Sequence, residues 1–287
     1  MITLKLSTQT KVTIARWLSK LIVGLRAIFG LSPITKVYRQ GLKWSLDLRE
    51  GIDLAIYLGV YEPETIKALK KLVHSGDIIL DIGANIGAIT LPLAQFVGES
   101  GQVISFEPTL WAYNKLQTNL SLNPHLVNRV KPEQIMLLEP GEKPPSLVYS
   151  SWNLQGNQDE ITHPEHQGKL MTTDGVQGIS LDEYFENNPV DKINLIKLDV
   201  DGYELTVIKG AKNTLLHYKP DIIIEMAPYI QEEKNQLLEL LYELENHGYK
   251  LQELNTGKQI SMTQEAIEKL CPPGGGINTL LIHNTKL

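Results

Sequence analysis

Short apolar runs and longer amphipathic runs alternate along the chain from about residue 60 onward. The apolar runs predict buried strands at residues 78–82, 102–106, 193–199, 221–225 and 276–283. In the amphipathic runs apolar residues recur three or four positions apart, which predicts helices at residues 64–74, 86–97, 109–122, 203–216 and 231–247. This alternation of strands and helices is typical of an α/β fold built on a parallel sheet.

A different pattern occupies residues 132–178, where Pro, Gly, Asn, Gln and Ser are frequent. A long irregular insertion in a compact domain is usually functional or mobile, so we expect part of the substrate site here. Trp152 and Asn153 are its candidate substrate contacts, although a Trp is more often simply a core residue. Asn278 is a third candidate, because it ends the glycine-rich segment 272–278, which could form a lid or a plain connecting turn.

The composition is that of a globular protein of 287 residues, with 42% hydrophobic and 21% charged residues. Cys271 is the single cysteine, so an internal disulfide is excluded and a reducing compartment is indicated. No cluster of Cys and His has the spacing of a structural zinc site. The net charge of −6 argues against nucleic acid as a partner.

The N-terminal segment differs from the rest in charge, because eight Lys or Arg and no acid precede Asp47. The apolar run at 21–31 is too short for a membrane span, contains Arg26, and lacks the cleavage pattern of a secretory signal. We therefore predict a cytoplasmic protein with a basic N-terminal helical extension at residues 1–49 and one domain at residues 50–287.

Two interpretations of residues 12–31 stay open. The favoured one is a helix packed on the domain or on a second subunit. The other is a basic amphipathic helix that lies on an anionic membrane surface, which would make the protein membrane-peripheral.

The sharpest motif is the run Asp81-Ile-Gly-Ala-Asn-Ile-Gly87, which lies between a predicted strand and a predicted helix. Glycines at such a turn let the backbone bend tightly and let a ligand approach closely. The run lacks the third glycine of a dinucleotide-binding motif and the Lys of a phosphate-binding loop. The Asp81 carboxylate would repel a pyrophosphate, but it suits a ligand with a cationic amino group.

A second acid, Glu107, ends the next predicted strand, twenty residues after Gly87. A carboxylate at this place can accept hydrogen bonds from both hydroxyls of a ribose. Taken singly, Asp81 is explained as a turn acid and Glu107 as an exposed strand-end residue. Together, in this order and spacing, they indicate a nucleoside that carries an amino acid, namely S-adenosylmethionine.

Further motifs extend from about residue 57 to residue 283. They are Tyr61-Glu-Pro63, Phe106-Glu-Pro108, Asn119, Asn123, Ile179-Ser-Leu-Asp182, Ile196-Lys-Leu-Asp-Val-Asp-Gly-Tyr-Glu204 and Lys209-Gly-Ala211. With the glycine motif, they make the chain resemble the FkbM-type family of class I S-adenosylmethionine-dependent methyltransferases. That family usually has Glu at the position of Asp201, whose carboxylate has a shorter reach. The resemblance implies a Rossmann-like seven-stranded sheet, mostly parallel with one antiparallel strand, and helices on both faces.

The resemblance and the residue chemistry together suggest a cofactor pocket. Its expected members are Glu62, Asp81, Gly83, Asn85, Gly87, Glu107 and Pro108. Asp199 ends the fourth strand, where this fold presents residues to the methyl group, and Lys197 lies on the same strand face. With Glu225 they are the candidate catalytic residues; the alternative is a buried salt-bridge network that orients the strand ends. No metal is predicted, because a base or positioning role for Asp199 is favoured over a magnesium site shared with Asp201 or Glu225.

The predicted function is methylation of a hydroxyl on a sugar, glycan or secondary metabolite, in secondary metabolite or polysaccharide biosynthesis. One alternative is an N-methyltransferase that acts on a small amine. Another is a non-catalytic nucleoside-binding scaffold at a membrane surface. The expected partners are an acceptor with a free hydroxyl and a second copy of the chain, but not nucleic acid. Peripheral membrane contact is expected if the N-terminal segment binds lipid.

Overall fold

The computed structural model describes residues 7–155, 168–228, 236–272 and 275–286. The helices in these residues are α1 (Thr8–Ile28), α2 (Gly51–Leu58), α3 (Pro63–Leu72), α4 (Thr90–Phe96), α5 (Leu110–Ser121), α6 (Leu181–Asn187), α7 (Glu204–Lys209), α8 (Lys212–Tyr218), α9 (Gln236–Asn246) and α10 (Gln264–Leu270). The strands are β1 (Ile34–Arg39), β2 (Leu42–Asp47), β3 (Ile78–Ile82), β4 (Gln102–Phe106), β5 (Val130–Glu133), β6 (Ile135–Leu137), β7 (Leu147–Tyr149), β8 (Leu170–Thr172), β9 (Gln177–Ile179), β10 (Leu195–Leu198), β11 (Asp221–Met226), β12 (Tyr249–Glu253) and β13 (Ile277–His283).

The predicted fold class is confirmed by the central sheet. Its seven strands lie in the order β12-β13-β11-β10-β3-β4-β5. Only β13 runs against its neighbours β11 and β12, and the pairs among β11, β10, β3, β4 and β5 are parallel. The five strands expected from the sequence correspond to β3, β4, β10, β11 and β13, while β5 and β12 are additional strands at the two edges.

Helices cover both faces of this sheet, because successive side chains of its buried strands point to opposite sides. Ile79 and Val103 lie on the face that packs against α2, α3, α4 and α5. Leu80 and Ile104 lie on the other face, with α6, α7, α8 and α9. Each strand of the pair β3 and β4 is therefore apolar on both sides, which explains its continuous apolar sequence.

Three predicted helices differ from the observed ones. The helix expected at 86–97 begins only at Thr90, because the turns of the glycine motif extend to residue 89. The helix expected at 203–216 is divided into α7 and α8, and a Cβ at Gly210 between them would lie 2.2 Å from the carbonyl oxygen of Leu138. The helix expected at 231–247 is described from Gln236, and residues 231–235 lie outside the described part of the chain.

The predicted N-terminal extension is not wholly helical, because α1 is followed by the antiparallel hairpin β1–β2. Leu42, Trp44 and Leu46 of β2 are buried in the same core as Ile79 of the sheet. Packing is therefore continuous across residue 49, and the domain boundary there remains a prediction. None of the described helices has both the length and the hydropathy needed to cross a membrane.

Asn119 and Asn123, two residues of the sequence motifs on α5 and just beyond it, attach the hairpin to the domain. The Asn119 Oδ1 accepts a hydrogen bond from the backbone N–H of Ser45 at 2.8 Å. The Asn123 side chain accepts from the N–H of Lys43 at 2.9 Å and donates to its carbonyl oxygen at 2.8 Å. Both side chains thus bind the edge of β2 as a neighbouring strand would.

The insertion at residues 132–178 has more regular structure than its composition predicts. Strands β6 and β9 form one parallel pair, and β7 and β8 form an antiparallel pair. Residues 156–167 of the insertion lie outside the described part of the chain.

Candidate active site

A cavity of about 580 Å³ opens at the carboxyl ends of the central strands. Sites for small organic ligands commonly have roughly 300–1,000 Å³, and in open α/β sheets they lie at this edge. The predicted site residues on its wall are Glu62, Gly83, Asn85, Glu107, Pro108, Trp152, Asp199, Glu225 and Asn278. The predicted residues that do not line it are Asp81, Gly87, Asn153 and Lys197.

Gly83 begins the turn after β3 and holds it against two neighbouring strands. Its φ of +87° lies in the left-handed region, and its N–H donates to the carbonyl oxygen of Phe106 at 3.0 Å. A Cβ at this position would lie 1.8 Å from the carbonyl oxygen of Asp199. Only glycine allows β10 to approach this closely, so Gly83 sets the spacing between the turn and the end of β10.

The predicted ligand contact of Gly87 is not supported by the structure. A Cβ at Gly87 would lie 2.5 Å from Leu116 and 2.7 Å from Leu91, both side-chain carbons of the core. Its φ is also +87°. Gly87 therefore lets the turn pack on α4 and α5, and its contact with a ligand stays a prediction.

Asp81 lies behind the glycine turn and not on the cavity wall. Its side chain is buried, and its carboxylate accepts a hydrogen bond from the Thr90 hydroxyl at the start of α4. Burial raises the pKa of Asp81 to about 6, although the hydrogen bond from Thr90 and the charge of Lys197 favour the ionised form. The arrangement indicates support of the turn, and a direct contact with a ligand stays a prediction.

Asp81→Asn is expected to stabilise the fold at pH 8 by about 3 kcal/mol, because the folded state no longer contains a buried carboxylate. The folded pKa is raised, so wild-type stability contributed by this group is lost as the pH rises from about 4 to 6. The Asn side chain still accepts from Thr90. Urea denaturation at pH 4 and pH 8 measures the effect, and an equal difference at both pH values would contradict it.

Glu107 is fixed at the end of β4 by the backbone around it. Its Oε1 accepts from the N–H and the hydroxyl of Thr109 at 2.9 and 2.6 Å, and its Oε2 accepts from the N–H of Asn85 at 2.9 Å. Burial raises the pKa of Glu107, while these hydrogen bonds oppose that shift. A carboxylate oxygen has two lone pairs, so Oε2 can accept one further hydrogen bond from the cavity.

Asp199, Asp201 and Glu225 converge at the ends of β10 and β11. One carboxylate oxygen from each lies within 4.8 Å of the others, which makes them the described residues that could hold a divalent cation. Lys197 lies behind this group, with 1% of its side chain exposed, and its Nζ donates to Asp199 Oδ2 at 2.8 Å. Lys197 therefore fixes Asp199 from behind the wall, and a catalytic role for Lys197 stays a prediction.

The three acids differ in protonation. Burial opposes ionisation of Asp199, but the Lys197 charge and hydrogen bonds from Lys197 and Glu225 outweigh it and lower the pKa of Asp199. Burial and the charge of Asp199 raise the pKa values of Asp201 and Glu225 well above their usual range. Asp199 is therefore the acid of the cluster that ionises most readily, and a positive charge in the cavity would favour ionisation of Asp201 and Glu225 as well.

The loop that follows Asp199 is held by Glu204, the first residue of α7. The Glu204 carboxylate accepts hydrogen bonds from the N–H groups of Val200 and Gly202, both at 3.1 Å. Asp201 lies between them with a φ of +49°. Glu204 thus shapes the backbone that presents Asp201, and it does not line the cavity.

Glu62 and Asn278 meet on the wall although they are 216 residues apart. The Asn278 amide donates to Glu62 Oε2 at 3.2 Å and to the Thr65 hydroxyl at 3.1 Å. In the sheet Asn278 pairs directly with Glu225. The predicted lid is partly outside the described residues, at 273–274, but Gly276 packs tightly on Glu225, so this end of the segment is part of the wall.

Trp152 lines the cavity, whereas Asn153 does not. The carbonyl oxygen of Trp152 accepts from the N–H of Gly51 at 2.8 Å, and its ring leaves no room for a Cβ there. Asn153 instead forms a β-bridge with Glu50 and accepts from the N–H of Gln155. The structure gives no support to a substrate role of Asn153, because its side chain accepts a hydrogen bond within the loop.

Several residues of the wall are not among the predicted site residues. They are Thr8, Lys11, Val12 and Ala15 of α1, together with Tyr61, Tyr149 and Tyr203. Tyr61 belongs to the motif Tyr61-Glu-Pro63, so the sequence contained a signal that could have placed this residue at the site. No local pattern could place α1 beside the cavity, because that contact joins segments far apart in sequence.

The strand order, the glycine turn and the carboxylate at the end of β4 define a class I methyltransferase fold. Residues 81–251 match the family model of the methyltransferase FkbM domain, which is more than half of the chain. The chain therefore belongs to this family. Membership supports the methyltransferase class and the predicted cofactor, S-adenosylmethionine.

Two curated relatives are each 28% identical to the chain in the aligned region. The hexuronic acid methyltransferase AglP of Haloferax volcanii aligns with 54% of this chain and 58% of its own length. The methyltransferase sdnD of Sordaria araneosa aligns with 53% of this chain and 66% of its own length. The chain thus spans less than two thirds of each relative.

Among solved structures, the methyltransferase FkbM of Methylobacillus flagellatus is 20% identical, with a TM-score of 0.43, and covers 73% of this chain and 44% of its own. An S-adenosylmethionine-dependent O-methyltransferase of Thermotoga maritima is 15% identical, with a TM-score of 0.43. Its alignment covers 90% of this chain and 79% of the Thermotoga chain.

Proposed function

We propose that the chain is an S-adenosylmethionine-dependent O-methyltransferase that acts on a hydroxyl of a sugar, glycan or secondary metabolite. The main support is that a single cavity is lined by Glu107 and the glycine turn and also by the three clustered acids. One relative is a hexuronic acid methyltransferase, which favours a sugar-type acceptor.

The charges on the wall fit this cofactor. Glu62, Glu107, Asp199, Asp201 and Glu225 line the cavity, and Lys11 is the single Lys or Arg among the described lining residues. An acidic wall attracts a ligand that has both a sulfonium and an ammonium group. When bound, S-adenosylmethionine supplies an electrophilic methyl group.

The acids of the wall can serve a hydroxyl acceptor in two ways. Asp199 is held ionised by Lys197, so it can accept a hydrogen bond from the acceptor hydroxyl and orient its oxygen. Its lowered pKa makes it a weak base. Burial and the charge of Asp199 raise the pKa of Glu225, which makes its carboxylate a stronger base than that of Asp199, so we assign the hydroxyl proton to Glu225.

Transfer of a labelled methyl group into fractionated cell extract tests the proposal, with mass spectrometry of the labelled product. We expect label on oxygen in a carbohydrate or small-metabolite fraction. Label on nitrogen would favour the N-methyltransferase alternative. Binding of S-adenosylhomocysteine without any labelled product would favour the scaffold alternative.

Glu107→Gln is expected to weaken the binding of S-adenosylhomocysteine by about 1.5–3 kcal/mol, because a charged hydrogen bond to the ribose is lost. Isothermal titration calorimetry measures the change. Glu133→Gln is the matched control, since Glu133 ends the neighbouring strand β5 and does not line the cavity. Equal affinity of the Glu107 variant and the wild type would show that Glu107 does not contribute to cofactor binding.

A further inference from the structure

The outer face of α1 is an apolar stripe that the described part of the chain leaves uncovered. Its residues recur three or four positions apart and are Ile14, Trp17, Leu21, Leu25 and Ile28. Trp17 is 65% exposed and Ile28 is 77% exposed, values that are unusual for such large apolar side chains.

The opposite face of α1 holds the helix on the domain. Val12 and Ser19 are buried there, and the Ser19 hydroxyl donates to the carbonyl oxygen of Leu48 at 2.7 Å. The orientation of the helix is therefore fixed from the inside. The favoured interpretation of the sequence is packing on the domain or on a second subunit. Packing on the domain accounts for the inner face alone and leaves the stripe unexplained.

Positive charge accompanies the stripe along the N-terminal segment. Lys11 and Lys20 are exposed on α1, and Lys36 and Lys43 are exposed on the hairpin that follows. No acid occurs before Asp47, although the whole chain has a net charge of −6. An apolar stripe beside Lys and Arg is the pattern of a helix that lies in the interface of an anionic bilayer.

We propose that α1 docks the protein on an anionic membrane surface. The stripe enters the boundary between headgroups and acyl chains, with Trp17 at the level that amphipathic rings prefer, and the Lys side chains contact the headgroups. Pairing of the stripe with that of a second copy fits less well, because it would bring two wholly basic segments together.

Docking also places the cavity at the membrane. Thr8, Lys11, Val12 and Ala15 of the same helix form part of the cavity wall, and the exposed Val60 is a further wall residue. An acceptor held at the bilayer surface would then approach a cavity of which one side is α1. The docking proposal itself does not depend on the methyl-transfer proposal.

Sedimentation with vesicles tests the proposal on the full chain. We expect the wild type to pellet with phosphatidylcholine–phosphatidylserine vesicles, not with phosphatidylcholine alone, and to be released by salt. Trp17→Ser with Ile28→Ser should lower the ratio of bound to free protein by about tenfold or more. Lys11→Gln with Lys20→Gln should lower it by about tenfold at low salt.

A matched control replaces two other exposed apolar residues, which lie outside α1. Leu216 on α8 is 57% exposed and Tyr242 on α9 is 63% exposed, and the variant with Ser at both should bind like the wild type. Wild-type protein that stays in the supernatant would overturn the proposal, as would wild-type binding by the stripe variant. A stripe variant that changes only the oligomeric mass in sedimentation velocity would assign the stripe to a second copy instead.

Discussion

Asp199→Asn should lower the rate of methyl transfer by about 100-fold or more, because the uncharged amide no longer orients and polarises the acceptor hydroxyl. The affinity for S-adenosylhomocysteine should stay within about threefold of the wild type, since the Glu107 end of the cavity is unchanged. Single-turnover rates with labelled cofactor measure the effect. Full activity would make Asp199 a structural residue.

The same assay with a chelator decides between two roles for the acidic cluster. A positioning role predicts that the chelator leaves the wild-type rate unchanged. Loss of activity with chelator, followed by recovery with magnesium, would show that Asp199, Asp201 and Glu225 bind a cation during the reaction.

A double variant separates chemistry from stability at this position. Asp199→Asn leaves the buried Lys197 ammonium without its ion-pair partner, which should destabilise the fold by about 3–5 kcal/mol. Adding Lys197→Met removes that charge and should restore most of the stability. The double variant is expected to remain inactive, and a recovery of activity would contradict a direct role for Asp199.

The second large effect is expected for Gly83→Ala, which should destabilise the fold by about 3–5 kcal/mol. The new Cβ would overlap the carbonyl oxygen of Asp199 at 1.8 Å, and the residue would also have to keep a φ of +87°. Because the end of β10 must move, activity should be lost as well. Urea denaturation measures the stability, and the soluble fraction on expression reports a variant that does not fold.

Gly175→Ala is the control for the backbone strain alone. Gly175 has a φ of +79°, and no atom lies within 4 Å of its hypothetical Cβ. This variant should lose only about 1–2 kcal/mol, the cost of a left-handed conformation. Equal losses in the two variants would mean that the contact between Gly83 and β10 contributes nothing.

The central strands could be predicted from sequence because they are buried on both faces and hence mostly apolar. The edge strand β12 alternates buried Tyr249 and Leu251 with polar residues, a weak signal over five positions. The hairpin was missed for a related reason. Leu42 and Leu46 alternate with polar residues in β2, but β1 presents Ile34 and Tyr38 to solvent and lacks a buried face.

The site was predictable where it depends on local geometry. Gly83 and Glu107 mark a turn and a strand end, and both line the cavity. A motif does not distinguish residues that touch a ligand from those that hold the turn, so the ligand contacts of Asp81 and Gly87, which do not line the cavity, stay predictions. The meeting of Asp199 with Glu225 depends on the register of β10 with β11, which one sequence does not reveal.

The attachment of the hairpin by Asn119 and Asn123 has a consequence for biosynthesis. These side chains lie 74 and 80 residues after the β2 atoms that they bind. At about 5–20 residues per second, the ribosome therefore needs about 4–15 seconds to supply them after β2 is made. During that interval the edge of β2 lacks these hydrogen-bond partners. The basic N-terminal segment is therefore exposed to other molecules before it can pack into the core of the domain.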